Sequence, residues 1–214
     1  MLHAPLPDDP NGAAPAFGEP LPIAPSPETL DFLARRRSAS ALTLGEPGPA
    51  ENDLRRIIAL ATRAPDHGKL APWRFVVLRG EGKAQFVEAL EKVAAGRNDA
   101  PKAAAKLAKI RTPPVTIAVV SRYSAGEIPE WEQRLSAGAA CTLMILAAQA
   151  MGYGANWITD WYAYDEDAKD LLGLTQGERI AGFVHLGTAL EDPLERVRPD
   201  PEAITTIWPD QRPA

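Results

Sequence analysis

The amino-acid sequence predicts a sandwich in which helices pack on a sheet of about four strands. Two observations carry this. Four short runs are rich in β-branched and aromatic residues: Trp73–Leu78, Val115–Val120, Tyr153–Ile158 and Ile180–Gly187. Helical stretches lie between them, so strands and helices interleave along the chain. Length and composition allow such a fold. The chain has 214 residues, 45% hydrophobic and 24% charged, which suits one domain with a sizeable core.

Residues 1–25 hold seven prolines and no lysine or arginine, and predict a disordered or extended arm. Ser26-Pro27 opens the folded domain, assigned to 26–190, with serine at a helix cap and proline at the first helical position. That helix runs through Leu30, Leu33 and Ala34 and delivers Arg35-Arg36-Arg37-Ser38 at its end. A second helix over Ala50–Arg63 has Leu54, Ile57, Ile58 and Ala61 at helical spacing, and Pro65 forbids its continuation. After the Trp73–Leu78 strand come a helix over Lys83–Ala95 and an alanine- and lysine-rich helix ending before Pro113-Pro114.

Val115–Val120 reads as a fully buried strand, having no polar face. Glu130–Met151 forms the long central helix, turning at Gly152. Its small residues Ala137, Gly138, Ala139, Ala140, Ala147 and Ala148 suit close packing on a symmetry mate, or a core position within a monomer. A short helix over Asp165–Leu172 precedes the last strand, and 191–214 form an extended tail.

The totals exclude several functions. A net charge of −5 argues against broad nucleic-acid binding, which needs a basic face. One cysteine allows no internal disulfide and no zinc cluster, and Cys141 reads as a small buried hydrophobe. His3, His67 and His185 show no close pairing, so no metal site is expected. The N-terminus has no basic region leading into an apolar stretch, which predicts a cytoplasmic protein. Leu135–Thr159 carries no charge, yet its glycines, Gln149 and Asn156 mark a buried or interface helix rather than a membrane span.

Chemistry is carried by cations. Arg36, Arg37 and Ser38 close one helix, and Arg63 and His67 bracket Pro65 after the next. Arginine offers a planar fork of donors suited to phosphate. Alone, each cluster also reads as a solvated helix end that offsets the negative pole of its helix. Gly152-Tyr153-Gly154 lacks the full dinucleotide fingerprint, which disfavours a Rossmann dehydrogenase.

The ordered set is more specific. Arg36-Arg37-Ser38-Ala39-Ser40, Arg63-Ala64-Pro65-Asp66-His67, Pro72-Trp73-Arg74-Phe75, Trp131-Glu132-Gln133, Gly152–Trp157 and Gly182–Thr188 follow one another in this order. Over residues 27–190 this resembles the nitroreductase family, in its YdjA-like branch. The resemblance implies an α+β fold, an α-β-α sandwich around a central mixed sheet of four to five strands, as a homodimer. It implies flavin mononucleotide (FMN) as cofactor, NAD(P)H as donor, and nitroaromatic or quinone-like acceptors with ping-pong kinetics. Flavin fragmentation, reductive dehalogenation or non-catalytic flavin binding are the alternatives on the same fold.

By the same resemblance, Arg36, Arg37 and Ser38 hold the flavin phosphate and pyrimidine edge. Arg63 and His67 contact flavin from the other subunit, and Trp157, Ile158 and Thr159 lie beside the ring. Ala147, Ala148, Gln149, Ala150, Met151 and Gly152 match a nicotinamide-nucleotide segment. The family's late basic phosphate ligand falls to Arg196 or Arg198 by position. No catalytic side chain is expected, because the cofactor carries the chemistry.

Overall fold

The computed structural model describes residues 15, 17–66 and 68–208. Its elements in chain order are α1 (Pro27–Arg35), β1 (Leu44–Gly45), α2 (Glu51–Ala61), β2 (Trp73–Arg79), α3 (Gly80–Ala95), α4 (Ala100–Lys106), α5 (Ala108–Arg111), β3 (Val115–Arg122), α6 (Glu130–Ala150), β4 (Gly154–Ile158), α7 (Glu166–Asp170) and β5 (Glu178–Ala189). All four predicted strands and the long central helix are present. The alanine- and lysine-rich stretch divides into α4 and α5 instead of forming one helix.

The five strands form one sheet in the order β1-β5-β3-β2, with β4 also pairing β5. Every strand pair is antiparallel, which corrects the expectation of a mixed sheet. Helices between strands suggest parallel crossovers, but here α3–α5 return the chain so that β3 runs opposite to its neighbour β2.

β3 is central and sends alternate residues to two cores, as the period of two in a strand requires. Ile117 and Val119 join Leu54, Ile57, Met144 and Val184 beneath α2 and α6. Ala118 and Val120 join Leu90, Leu107, Tyr162 and Phe183 on the opposite face. The result is a three-layer sandwich, helices on both sides of a sheet. Among the described residues no helix is long and apolar enough to cross a membrane.

The two faces of α6 have separate uses. Ala137, Ala140, Cys141, Met144, Ala147 and Ala148 recur at helical spacing and are all buried within the subunit. Of the two readings the sequence allowed, Ala137, Ala140, Ala147 and Ala148 take the core position: their small size lets α6 approach α2 and the sheet. Leu135, 54% exposed, and Thr142 point outward instead, with Gly138 and Ala139 partly exposed between them. Gly152, at φ +87°, ends the helix as expected, in the left-handed region that favours glycine.

Candidate functional site

The Arg36–Ser40 segment leaves α1 in extended geometry and is clamped to the body of the subunit. Ala39 N donates to Ala155 O at 3.0 Å. Asn156 Nδ2 donates to Ala39 O, and Gln149 Nε2 donates to Arg37 O. Ala39 is buried, and Ser40 Oγ caps the following turn by accepting from Leu42 N at 3.2 Å. A solvated helix end would lack these ties. The backbone that carries the cations is fixed before any ligand arrives.

The two arginines differ in what occupies them. Arg36 Nη2 donates to Ser38 Oγ at 3.1 Å, its one hydrogen-bond partner among the described residues. Arg37 Nη1 donates to Arg36 O at 2.7 Å, and its Nη2 pairs with Glu195. Glu195 also pairs with Arg198 Nε at 3.3 Å, which brings the tail back to the cluster. Burial, then the positive charges of Arg198 and Arg36, lower the Arg37 pKa from its ordinary value. As a guanidinium it remains charged.

Arg36 and Ser38 line a cavity of about 360 Å³, whose walls also include Leu33, Thr142, Leu146 and Trp157. Trp157 is set by the sheet beneath it. Val119 pairs with Gly182 and Val120 with Ile180, so Ala181 is the extra residue of a β-bulge. Its carbonyl accepts from Trp157 Nε1 at 3.3 Å. A Cβ on Gly182 would lie 1.8 Å from that nitrogen, so only glycine lets the indole lie against β5. Ile158 is half-buried at the end of β4, and Thr159 Oγ1 accepts from Tyr164 Oη at 3.1 Å.

Residues 62–72 form the second cationic stretch. Ser136 Oγ on α6 donates to Pro65 O at 2.6 Å and accepts from Trp73 Nε1 at 3.1 Å. Asp66 accepts Ala71 N at 3.1 Å. Gly68, Lys69 and Ala71 all have positive φ. For the two non-glycine residues that geometry costs about 1 kcal/mol each, held by the bonds at the base. Arg63 is exposed in this stretch. His67 lies outside the described residues.

The 147–152 segment packs and braces. Ala147 and Ala148 are buried, and Gln149 holds the arginine segment; Met151 is half-buried, leaving Ala150 and Gly152 exposed. Ala148 is closed to solvent and Ala147 nearly so, which leaves Ala150 and Gly152 as the exposed members of the segment the resemblance assigns to the donor. Arg198 joins the cluster through Glu195, whereas among the described residues Arg196 makes only a backbone bond to that carboxylate.

Cys141 is fully buried, and burial pushes its thiol up to about 12. His185 Nδ1 lies 2.9 Å from Thr116 Oγ1, and burial, then Lys83 and Lys109, hold the ring near 3 and therefore neutral.

Sequence reasoning singled out the arginines and the serine by their chemistry and the indole through the family resemblance; the structure brings Arg36, Ser38 and Trp157 to one cavity. The same reasoning named Asn156 and Gly182 only within longer runs, without a role, and missed Gln149 as a brace and Ser136 and Glu195 altogether. Each acts on a residue distant in sequence, so no local spacing marks it.

A sandwich of this topology with a cationic cavity at its helix face defines a class among known proteins. Among solved structures, a nitroreductase-like family protein from Bacillus cereus superposes with TM-score 0.76 at 23% identity, over 87% of this chain and 98% of that one. A nitroreductase with bound FMN from Bacteroides fragilis gives 0.65 at 21% identity, over 85% and 99%. In sequence, the candidate NAD(P)H nitroreductase YdjA of Escherichia coli K12 is 35% identical over 184 residues, 85% of this chain and 100% of that one. The nitroreductase family model matches residues 33–188, and the chain belongs to that family.

Proposed function

We propose that this chain is an FMN-dependent oxidoreductase that takes hydride from NAD(P)H and reduces nitroaromatic or quinone-like acceptors. The observation that carries the reading is the clamped Arg36–Ser38 segment lining the cavity that reaches Trp157. The residues fit the cofactor. A guanidinium and a hydroxyl suit one terminal phosphate, and Leu33, Leu146 and Trp157 give apolar walls to a flat ring. Bound FMN would supply the two-electron chemistry, which this chain's side chains cannot.

The protein's part is to bind, orient and exclude water. Arg36 and Ser38 would hold the phosphate, with Arg37 and Arg198 adding positive charge behind them. Trp157, Ile158 and Thr159 would line the ring's edge. Donor and acceptor would use one stacking face in turn, which gives ping-pong kinetics.

The working unit is a homodimer in this reading. Leu30 and Leu33 on α1, Leu135 on α6, and Leu194, Val197 and Trp208 in the tail are all exposed in the single chain. That much apolar surface suits a partner of the same kind. Arg63, with His67, would reach the partner's flavin. The 26–190 unit would carry the fold and the tail would close the phosphate end, in a cytoplasmic enzyme.

The test is spectroscopic. The purified or FMN-reconstituted protein should show flavin absorption, bleach with NADH or NADPH, and recover its colour with a nitroaromatic or quinone. Release of flavin adenine dinucleotide on denaturation, or no flavin after reconstitution, would overturn the reading.

A further inference from the structure

A second cavity, of about 410 Å³, shares Trp157 as a wall with the cavity lined by Arg36 and Ser38. Its apolar lining comes from Gly138 on α6 and from Ile180 and Ala181 on β5, beside the indole. Three cations, Arg134, Lys169 and Arg179, stand around it with one carboxylate, Glu166. Two of the cations are already engaged. Arg134 pairs with Glu130 at 2.5 Å and Lys169 with Glu166 at 2.6 Å. Arg179 is exposed and has no side-chain hydrogen bond or ion pair among the described residues. The bulge at Ala181 sits two residues from it, so the distortion that seats Trp157 also shapes the strand carrying the free guanidinium.

From this geometry we infer that the second cavity receives the negative end of a planar aromatic acceptor, with Arg179 as the anion anchor and Trp157 as the wall it shares with the flavin cavity. The inference rests on the flavoenzyme reading and narrows its acceptor class to anionic aromatics such as nitrobenzoates. A flat ring gains from the indole and the apolar strand surface. A carboxylate meets an unpaired planar fork and can be held by two parallel bonds. A neutral isostere keeps the stacking and forfeits the anchor. Lys169 and Arg134 add positive field around the same mouth.

Binding decides the matter without turnover. Quenching of tryptophan fluorescence by 4-nitrobenzoate and by 4-nitrobenzamide is titrated on the parent, Arg179→Gln and Arg179→Lys, with flavin content recorded on each sample. The parent should hold the benzoate about tenfold more tightly than the amide. Arg179→Gln should erase that preference while leaving amide affinity within about twofold, and Arg179→Lys should restore part of it. Equal affinity for the two ligands in the parent, no binding of either, or a preference that survives Arg179→Gln overturns the inference. Flavin absent from every sample overturns the flavoenzyme reading instead, and the two failures are distinguishable.

Discussion

Two cationic stretches flank the long helix, and they are built differently. Arg36–Ser40 is clamped by Gln149, Ala155 and Asn156, all of its own subunit, and lines a cavity of that subunit. The 62–72 stretch is tied at its base by Ser136 and Asp66, while Arg63 stands exposed and lines neither the Arg36 cavity nor its neighbour. The first is fixed in place by its own subunit. The second stands exposed on a base tied by Ser136 and Asp66, and in the proposed dimer it is the one that would reach the partner's site. Cations of one type thus serve a chain in two ways, and what distinguishes them is the wiring of the backbone behind them.

The most damaging change should be Leu135→Glu on the exposed face of α6. The fold should survive, since the side chain is solvated in the single chain. Dimerisation would have to bury an unpaired carboxylate, weakening association by at least about a hundredfold. Light scattering and flavin fluorescence on one sample should show a monomer that has lost cofactor. Ala140→Glu would be a poorer probe, because Ala140 is 0% exposed and its replacement attacks the core.

Within the clamped stretch, Arg36→Ala and Arg37→Ala should separate. Arg36 is free for a phosphate, and losing one charge-assisted contact of about 1.5–3 kcal/mol should weaken FMN roughly ten- to hundredfold. Arg37 is engaged by Glu195 and a backbone carbonyl. Its loss should lower the melting temperature more and FMN affinity less than the loss of Arg36. Fluorescence titration alongside thermal melts checks both.

Ser136→Ala would loosen the base of the 62–72 stretch, leaving Pro65 O and Trp73 Nε1 without their partner at a cost of about 1–3 kcal/mol. Amide exchange should quicken over residues 62–72 while residues 36–40 stay protected.

The last effect is acid sensitivity just beyond that stretch. Arg74 binds Glu178 through two bonds, at 2.7 and 2.9 Å. This holds the Glu178 carboxyl at about 2, below its ordinary 4.5. The folded pKa is depressed, so the stabilisation is present above about pH 4.5 and is lost as pH falls toward 2. It amounts to about 2–3 kcal/mol at most. Thermal melts of the parent should fall steeply across that window, and Glu178→Gln should flatten the slope.

Legibility in the sequence followed the range of the interaction. Val115–Val120 was readable as a buried strand because its composition alone excludes a wet face. The two-residue β1 has no periodicity to detect, and the antiparallel course of β3 depends on how three helices turn the chain. The two uses of α6 stayed open because small apolar residues occur all round it, so pattern could not show which side meets the sheet. Arg36 and Ser38 were legible through their chemistry. Gln149, Asn156 and Glu195, which decide what each arginine is free to do, were not, since folding alone brings them together.

The central claim is that one flavin site takes Arg36 from one chain and Arg63 from the other. Mixing Arg36→Ala and Arg63→Ala protein under conditions that exchange subunits tests it most directly. In a two-fold dimer each mixed pair would contain one doubly altered site and one unaltered site, so random exchange should restore about a quarter of all sites to parental FMN affinity. Each variant alone should bind weakly at every site. If the mixture binds no better than the two variants measured separately, both arginines act within one chain, and the composite site is contradicted.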